Sequence, residues 1–142
     1  MKQRVPRRSW QPAPPAGHRP RVLVEDDQPA LAVSDFSLFE QAGFDVAFCT
    51  GPGDDRAACP ALRAERCPVL AGADVVLHGL DPRLGVAGAI RRQCPATPVL
   101  LKRRAAADSG AEPVPGRVLL APECSVRGQI EALRSALARK PN

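Results

Sequence analysis

Five short apolar runs punctuate this chain of 142 residues, and a helical or broken segment stands between each pair of them. The runs are Val22 to Val24, "FDVAFC" ending at Cys49, "ADVVLH" ending at His78, "TPVLLK" ending at Lys102, and "RVLLAP" ending at Pro122. Only the second alternates apolar with polar residues. The others are continuous, as in strands covered on both faces. The segments between them supply the covers. Pro29 suits the first turn of a helix, where its missing N–H leaves nothing unsatisfied. Ala32, Phe36 and Phe39 then fall on one helical face, and Gly43 is placed to stop the helix. "RAACPALRAERC" reads as a short or broken helix, because Pro60 cannot lie deep inside one. "GVAGAIRRQC" is a short helix with two glycines. Residues 104 to 116 hold Pro113, Pro115 and two glycines, and read as loop. Val126, Ile130, Leu133 and Leu137 make the apolar stripe of a closing helix. Strand and cover alternating five times predict an α/β domain, a doubly wound five-stranded parallel sheet.

Charge divides the chain in two. The net charge is +5, but six of the 20 basic residues (Lys2, Arg4, Arg7, Arg8, Arg19 and Arg21) precede the first acid, Glu25. Residues 1 to 20 are basic, rich in proline and without periodicity. They read as a disordered arm, followed by one domain over residues 21 to 140. Such an arm can touch nucleic acid, but only in a non-specific, salt-sensitive way, so that reading ranks below the others. No apolar run nears the ~20 residues of a membrane span, and the charged N-terminus lacks the apolar stretch of a secretory signal. The expected location is therefore the cytoplasm, with the five cysteines reduced. Cys49, Cys59, Cys67, Cys94 and Cys124 form no C-x-x-C pair. In a doubly wound fold Cys49 is expected at the top of the sheet and Cys67 and Cys94 at the bottom, apart from one another. Free thiols are expected. A Cys59–Cys67 disulfide and a haem-thiolate Cys-Pro site are the alternatives.

In open α/β sheets, chemistry gathers at the carboxyl ends of the strands. There the chain places Glu25, Asp26 and Asp27, then Cys49 and Thr50, then His78, Gly79 and Asp81, then Lys102 and Arg103, and last Ala121 and Pro122. Three consecutive acids repel one another unless a cation compensates. Mg²⁺ suits such oxygen ligands, and Glu25, Asp26 and Asp81 form the candidate metal set. A neighbouring Lys102 or Arg103 would serve equally, and so would a capping role for Asp26 or Asp27 at the next helix. No glycine-rich phosphate loop follows the first strand, and no Ser/His/Asp or Cys/His set stands out. The chain is not expected to be an enzyme, and no cofactor beyond Mg²⁺ is suggested.

The block "RVLVEDDQPALAVSDFSLFEQAGFDVAFC" resembles the opening of a response-regulator receiver domain. The likeness continues more loosely through "ADVVLHGLDP", "ATPVLLK" and "RVLLAPECSVRGQIEALRSAL". It implies the flavodoxin-like receiver fold, an acidic pair for Mg²⁺, an aspartyl phosphoacceptor ending strand three, a Thr or Ser after strand four and a Lys-Pro after strand five. Glu25 and Asp26 match the acidic pair, and Asp27 the third polar position. The phosphoacceptor position falls on His78 when counted from Pro82, or on Gly79 when counted from Asp74. The Thr/Ser position falls on Lys102 or Arg103. The Lys position falls on Ala121, with Pro122 retained, and the aromatic switch position lies near Val118. The resemblance therefore implies a stand-alone degenerate receiver, a pseudo-receiver. It would signal through a protein partner such as a kinase, regulator or output protein, without aspartyl phosphorylation. The alternative is a phosphorelay receiver that uses Mg²⁺ and an atypical acceptor.

Overall fold

The computed structural model describes residues 10, 18–52, 59–102, 118–120 and 125–139. The elements follow in the order β1 (Arg21–Glu25), α1 (Pro29–Gln41), β2 (Asp45–Cys49), α2 (Pro68–Ala71), β3 (Val75–His78), a 3₁₀ turn (Pro82–Leu84), α3 (Val86–Gln93), β4 (Val99–Lys102), β5 (Val118–Leu120) and α4 (Val126–Arg139). The strands pair in the order β2-β1-β3-β4-β5, all parallel. The chain steps outward from β1 to β2, crosses back to β3, and continues to the far edge. The reversal at β1 and β3 leaves a crevice above their carboxyl ends.

Side chains along each strand alternate between two apolar layers, as strand geometry requires. Val22, Val24, Val46, Val75, Leu77 and Leu100 pack with Phe36, Phe39, Leu133 and Ala136 of α1 and α4. Leu23, Ala47, Val76 and Val99 face the other way, onto Val69 and Leu70 of α2 and Val86 and Ile90 of α3. The strands read as continuous apolar runs because both of these faces are buried. Gly43 closes α1 with φ +100°, a backbone conformation that side chains with a Cβ resist. Its amide bonds to the Glu40 carbonyl at 3.0 Å, and the chain turns at once into β2.

The second layer is thinner than the pattern suggests. The short or broken helix expected over 56–67 appears, within its described part, only as turns at 60–64, and helix begins at Pro68. Pro60 explains the break, and Ala64 at φ +58° reverses the chain. Trp10 fills part of this layer. Its ring is 6% exposed, and the Arg21 guanidinium lies 5.6 Å from the ring centre. A Cβ on Gly72 would stand 3.3 Å from the indole, so that glycine makes room for it. The expectation that residues 1 to 20 stand outside the fold therefore fails at Trp10. An indole buries more apolar surface than any other side chain here, and the short α2 leaves a place for it.

No helix among the described residues is long and apolar enough to cross a membrane. Arg103, residues 104 to 116, Ala121, Pro122 and Cys124 lie outside the described residues.

Candidate functional site

The crevice above β1 and β3 gathers the acidic cluster and the residues at the end of strand three. Parallel register sets Glu25 beside Cys49 on one side and His78 on the other. All three are last residues of their strands. By strand alternation they share the face of Leu23, Ala47 and Val76. A row Cys49–Glu25–His78 thus crosses three strands.

Glu25 and His78 are both buried, at 5% and 3% exposure. His78 Nδ1 lies 2.7 Å from Glu25 Oε1. A carboxylate only accepts, so the imidazole donates from Nδ1, and this fixes the ring. Nε2 is buried with no hydrogen-bond partner among the described residues. Leaving such a group unsatisfied costs about 1–3 kcal/mol. The ring's place in the fold must offset that cost, and the short bond to Glu25 is what the ring gains there.

Asp26 is held differently. Its Oδ1 accepts from the Gln28 amide at 2.9 Å, a turn closed two residues on. Its Oδ2 faces Lys102 Nζ at 3.5 Å, from the end of β4. Asp27 is exposed. Gly79 fits between these groups because it has no side chain. Its amide donates to the Glu25 carbonyl at 2.7 Å. A Cβ there would stand 3.1 Å from that carbonyl and 3.5 Å from both Asp26 Oδ2 and Lys102 Cδ. Of the two positions matched to a phosphoacceptor, His78 therefore carries the side chain that faces the acids. Gly79 lets the backbone approach them.

The candidate Mg²⁺ set is not assembled. Asp81 turns to Arg83, accepting from its amide at 2.9 Å and from its guanidinium at 2.7 and 3.1 Å. Among the described residues no three His, Cys, Asp or Glu side chains converge as a metal site. Glu25 is engaged by His78 and Asp26 by Lys102, so the residues present do not fit the ion. Of the two basic residues proposed from the sequence as neutralisers, Lys102 reaches Asp26. The partner of Glu25 is His78, which spacing alone did not pair with it. The missing signal was strand order, since β1 and β3 become neighbours only once β2 is placed on the outer edge.

Replacing Lys102 by Ala should cost about 1 kcal/mol or less, because the pair is long and the lysine side chain is a quarter exposed. Urea denaturation of the variant beside the parent checks this. A loss of several kcal/mol would mean that Lys102 does more than screen Asp26.

No protein-family model matches the chain, and no curated protein matches its sequence. Solved structures match its fold. A response regulator receiver protein from Sinorhizobium medicae superposes with TM-score 0.64 at 20% identity, over 87% of this chain and 98% of that one. A response regulator receiver domain protein from Methanospirillum hungatei gives TM-score 0.61 at 16% identity, over 86% and 96% of the two chains. The chemotaxis protein CheY4 of Vibrio cholerae gives 0.58 at 17% identity, over 83% and 98%. The chain has the response-regulator receiver fold, a doubly wound parallel α/β sheet.

Proposed function

We propose that the chain is a pseudo-receiver. It works in two-component signal transduction as a protein-binding module whose phosphorylation site is held closed by its own side chains. One observation carries this reading. The acidic pair that would hold Mg²⁺ in a receiver is taken up internally, Glu25 by His78 at 2.7 Å and Asp26 by Lys102 at 3.5 Å. The residue at the acceptor position is itself one of these partners. A basic side chain occupies the place where phosphate and metal would bring charge, so the crevice is fixed in one state. Signalling then depends on which partner the folded surface binds and not on phosphoryl transfer.

Acetyl phosphate with Mg²⁺ tests the reading directly. Intact-mass measurement of the full chain should show no added phosphoryl group. A gain of one such group, on His78 or on any carboxylate of the crevice, would overturn the closed-site reading in favour of a live receiver with an atypical acceptor.

A further inference from the structure

The crevice takes up one end of the sheet. Near the other end, four exposed arginines flank the joint between α3 and the turns before α2. α3 runs from the loop after β3 to the start of β4, so its last turn lies at the amino ends of the strands. That turn carries Arg91 and Arg92, and Gln93 ends it. Gln93 donates from Nε2 to the carbonyls of Ala61 at 3.3 Å and Glu65 at 2.8 Å. These bonds clamp the segment that holds Arg63 and Arg66 against the end of α3. The segment is itself folded, since the Arg63 and Glu65 amides both donate to the Pro60 carbonyl, at 3.1 and 2.9 Å. Arg63, Arg66, Arg91 and Arg92 are all exposed. Cys67 and Cys94, which follow Arg66 and Gln93, are unbridged and pack on the apolar layer behind the joint.

Residues 59–71 and 86–98 hold these four arginines, no lysine and one acid, Glu65. Glu65 pairs with Arg63 at 3.0 Å, and among the described residues no acid pairs with Arg66 or Arg92. The carbonyl end of α3 favours a cation by about 0.3–1 kcal/mol, which accounts for an arginine in its last turn and not for those on the facing segment. Guanidinium groups take phosphate through two parallel N–H bonds, so the chemistry suits a phosphate-bearing polyanion. The patch's exposed neighbours are Ala64, Pro68, Pro95 and Ala96, and the large apolar side chain exposed among the described residues is Leu38, on α1. A lipid surface therefore finds nothing apolar to hold here. Trp10, Phe36, Phe39 and Phe44 are buried and Phe48 is half-buried, so the bases of a single strand find no stacking platform. A duplex needs neither, and presents a negative charge about every 1.7 Å along its axis.

We propose that this edge is a binding surface for duplex nucleic acid, which it holds by the phosphates and without sequence preference. Arg66 and Arg92 make the principal contacts from the two sides of the joint. Arg91 extends the row along α3, and Arg63 joins it by exchanging Glu65 for a phosphate. Gln93 is a positioning residue that keeps the two pairs of arginines in fixed relation. The surface is separate from the crevice, so binding requires no phosphoryl chemistry and leaves Glu25 and His78 as they are. It is also distinct from the basic arm of residues 1 to 20, because its charges are set in place by folded segments.

Fluorescence anisotropy of a labelled DNA duplex of mixed sequence, titrated with the full-length protein, tests this. Affinity should fall by about a hundredfold or more between ~50 and ~200 mM salt, as for three or four neutralised phosphates. Arg66→Ala combined with Arg92→Ala should lower the slope of log affinity against log salt by about two. Both side chains are exposed, so the double variant should keep the parent's circular dichroism and urea midpoint. Arg127→Ala, at an exposed position on α4, should leave the slope unchanged. The proposal is overturned if the double variant binds as the parent does, or if Arg127→Ala weakens binding as much. It is overturned equally if Arg7→Ala with Arg8→Ala abolishes binding, which would assign the duplex to the arm. Polyglutamate or phosphatidylserine vesicles that displace the duplex at equal charge would assign the patch to an acidic protein or a lipid surface and overturn it too. The pseudo-receiver reading stands under each of these results, since none of them touches the crevice.

Discussion

His78→Asp is expected to destabilise the domain by about 3–5 kcal/mol, and Mg²⁺ is expected to restore part of that loss. The substitution removes the hydrogen bond that His78 makes to the buried Glu25 Oε1 and places a third carboxylate against Glu25 and Asp26. A buried charge left without its partner accounts for most of the cost, and repulsion among the three acids adds to it. The same variant creates the oxygen-rich crevice that a hard divalent cation favours. A ligand that binds only the folded form stabilises it by about 2.7 kcal/mol at a hundredfold excess over its Kd. Urea midpoints with and without Mg²⁺ should therefore diverge for His78→Asp and coincide for the parent. His78→Asn separates the two effects, since it removes the imidazole without adding a charge. It should be destabilised with no response to the cation. If His78→Asp is as stable as the parent, the Glu25–His78 pair does not hold the site. If the parent itself responds to Mg²⁺, the acidic pair is open to metal and the pseudo-receiver reading fails.

Much of this was legible in the sequence, for physical reasons that can be named. The sheet was legible because strands buried on both faces must be apolar throughout, and Val22 to Val24 and Val75 to Leu77 are. α1 was legible because Pro29 and Gly43 bracket a periodic apolar face, and α4 because Leu133 lies on a stripe that repeats with the helix. The chain lacks an aspartate at the end of the third strand, so the oddity of the crevice was legible too. The pairing inside the crevice was not. Which base meets which acid depends on strand order and register, and no local pattern encodes that Glu25 ends beside His78 while Asp26 turns toward β4. The place of Trp10 was hidden for a related reason. Pro60 foretold a short or broken helix between β2 and β3, and turns at 60–64 stand in its described part. The short α2 leaves a space on the second layer that nothing nearby in sequence fills.

Trp10 occupies that space, and Trp10→Ala is expected to cost about 3–5 kcal/mol, the range for removing a large aromatic side chain from a core. The magnitude follows from what stands around the ring. Val69, Leu70, Ala73 and Ile90 belong to the layer it joins, Gly72 abuts its edge, and Arg21 lies over its face. A four-residue α2 cannot collapse to fill the hole. Arg21 loses the aromatic face it lies against, and the first residue of β1 loses its cover. The chain has a single tryptophan, so its emission reports on this site alone. The folded protein should emit at the blue end of the indole range and shift to the red in the same transition that melts the far-UV circular dichroism. Deleting residues 1 to 9 should leave both midpoints in place, and deleting residues 1 to 10 should lower them as far as Trp10→Ala does. A red-shifted native spectrum, or a Trp10→Ala variant as stable as the parent, would place the ring in solvent and return residues 1 to 20 to the status of a loose basic arm. If the expected results hold, Trp10 is part of the domain's second layer.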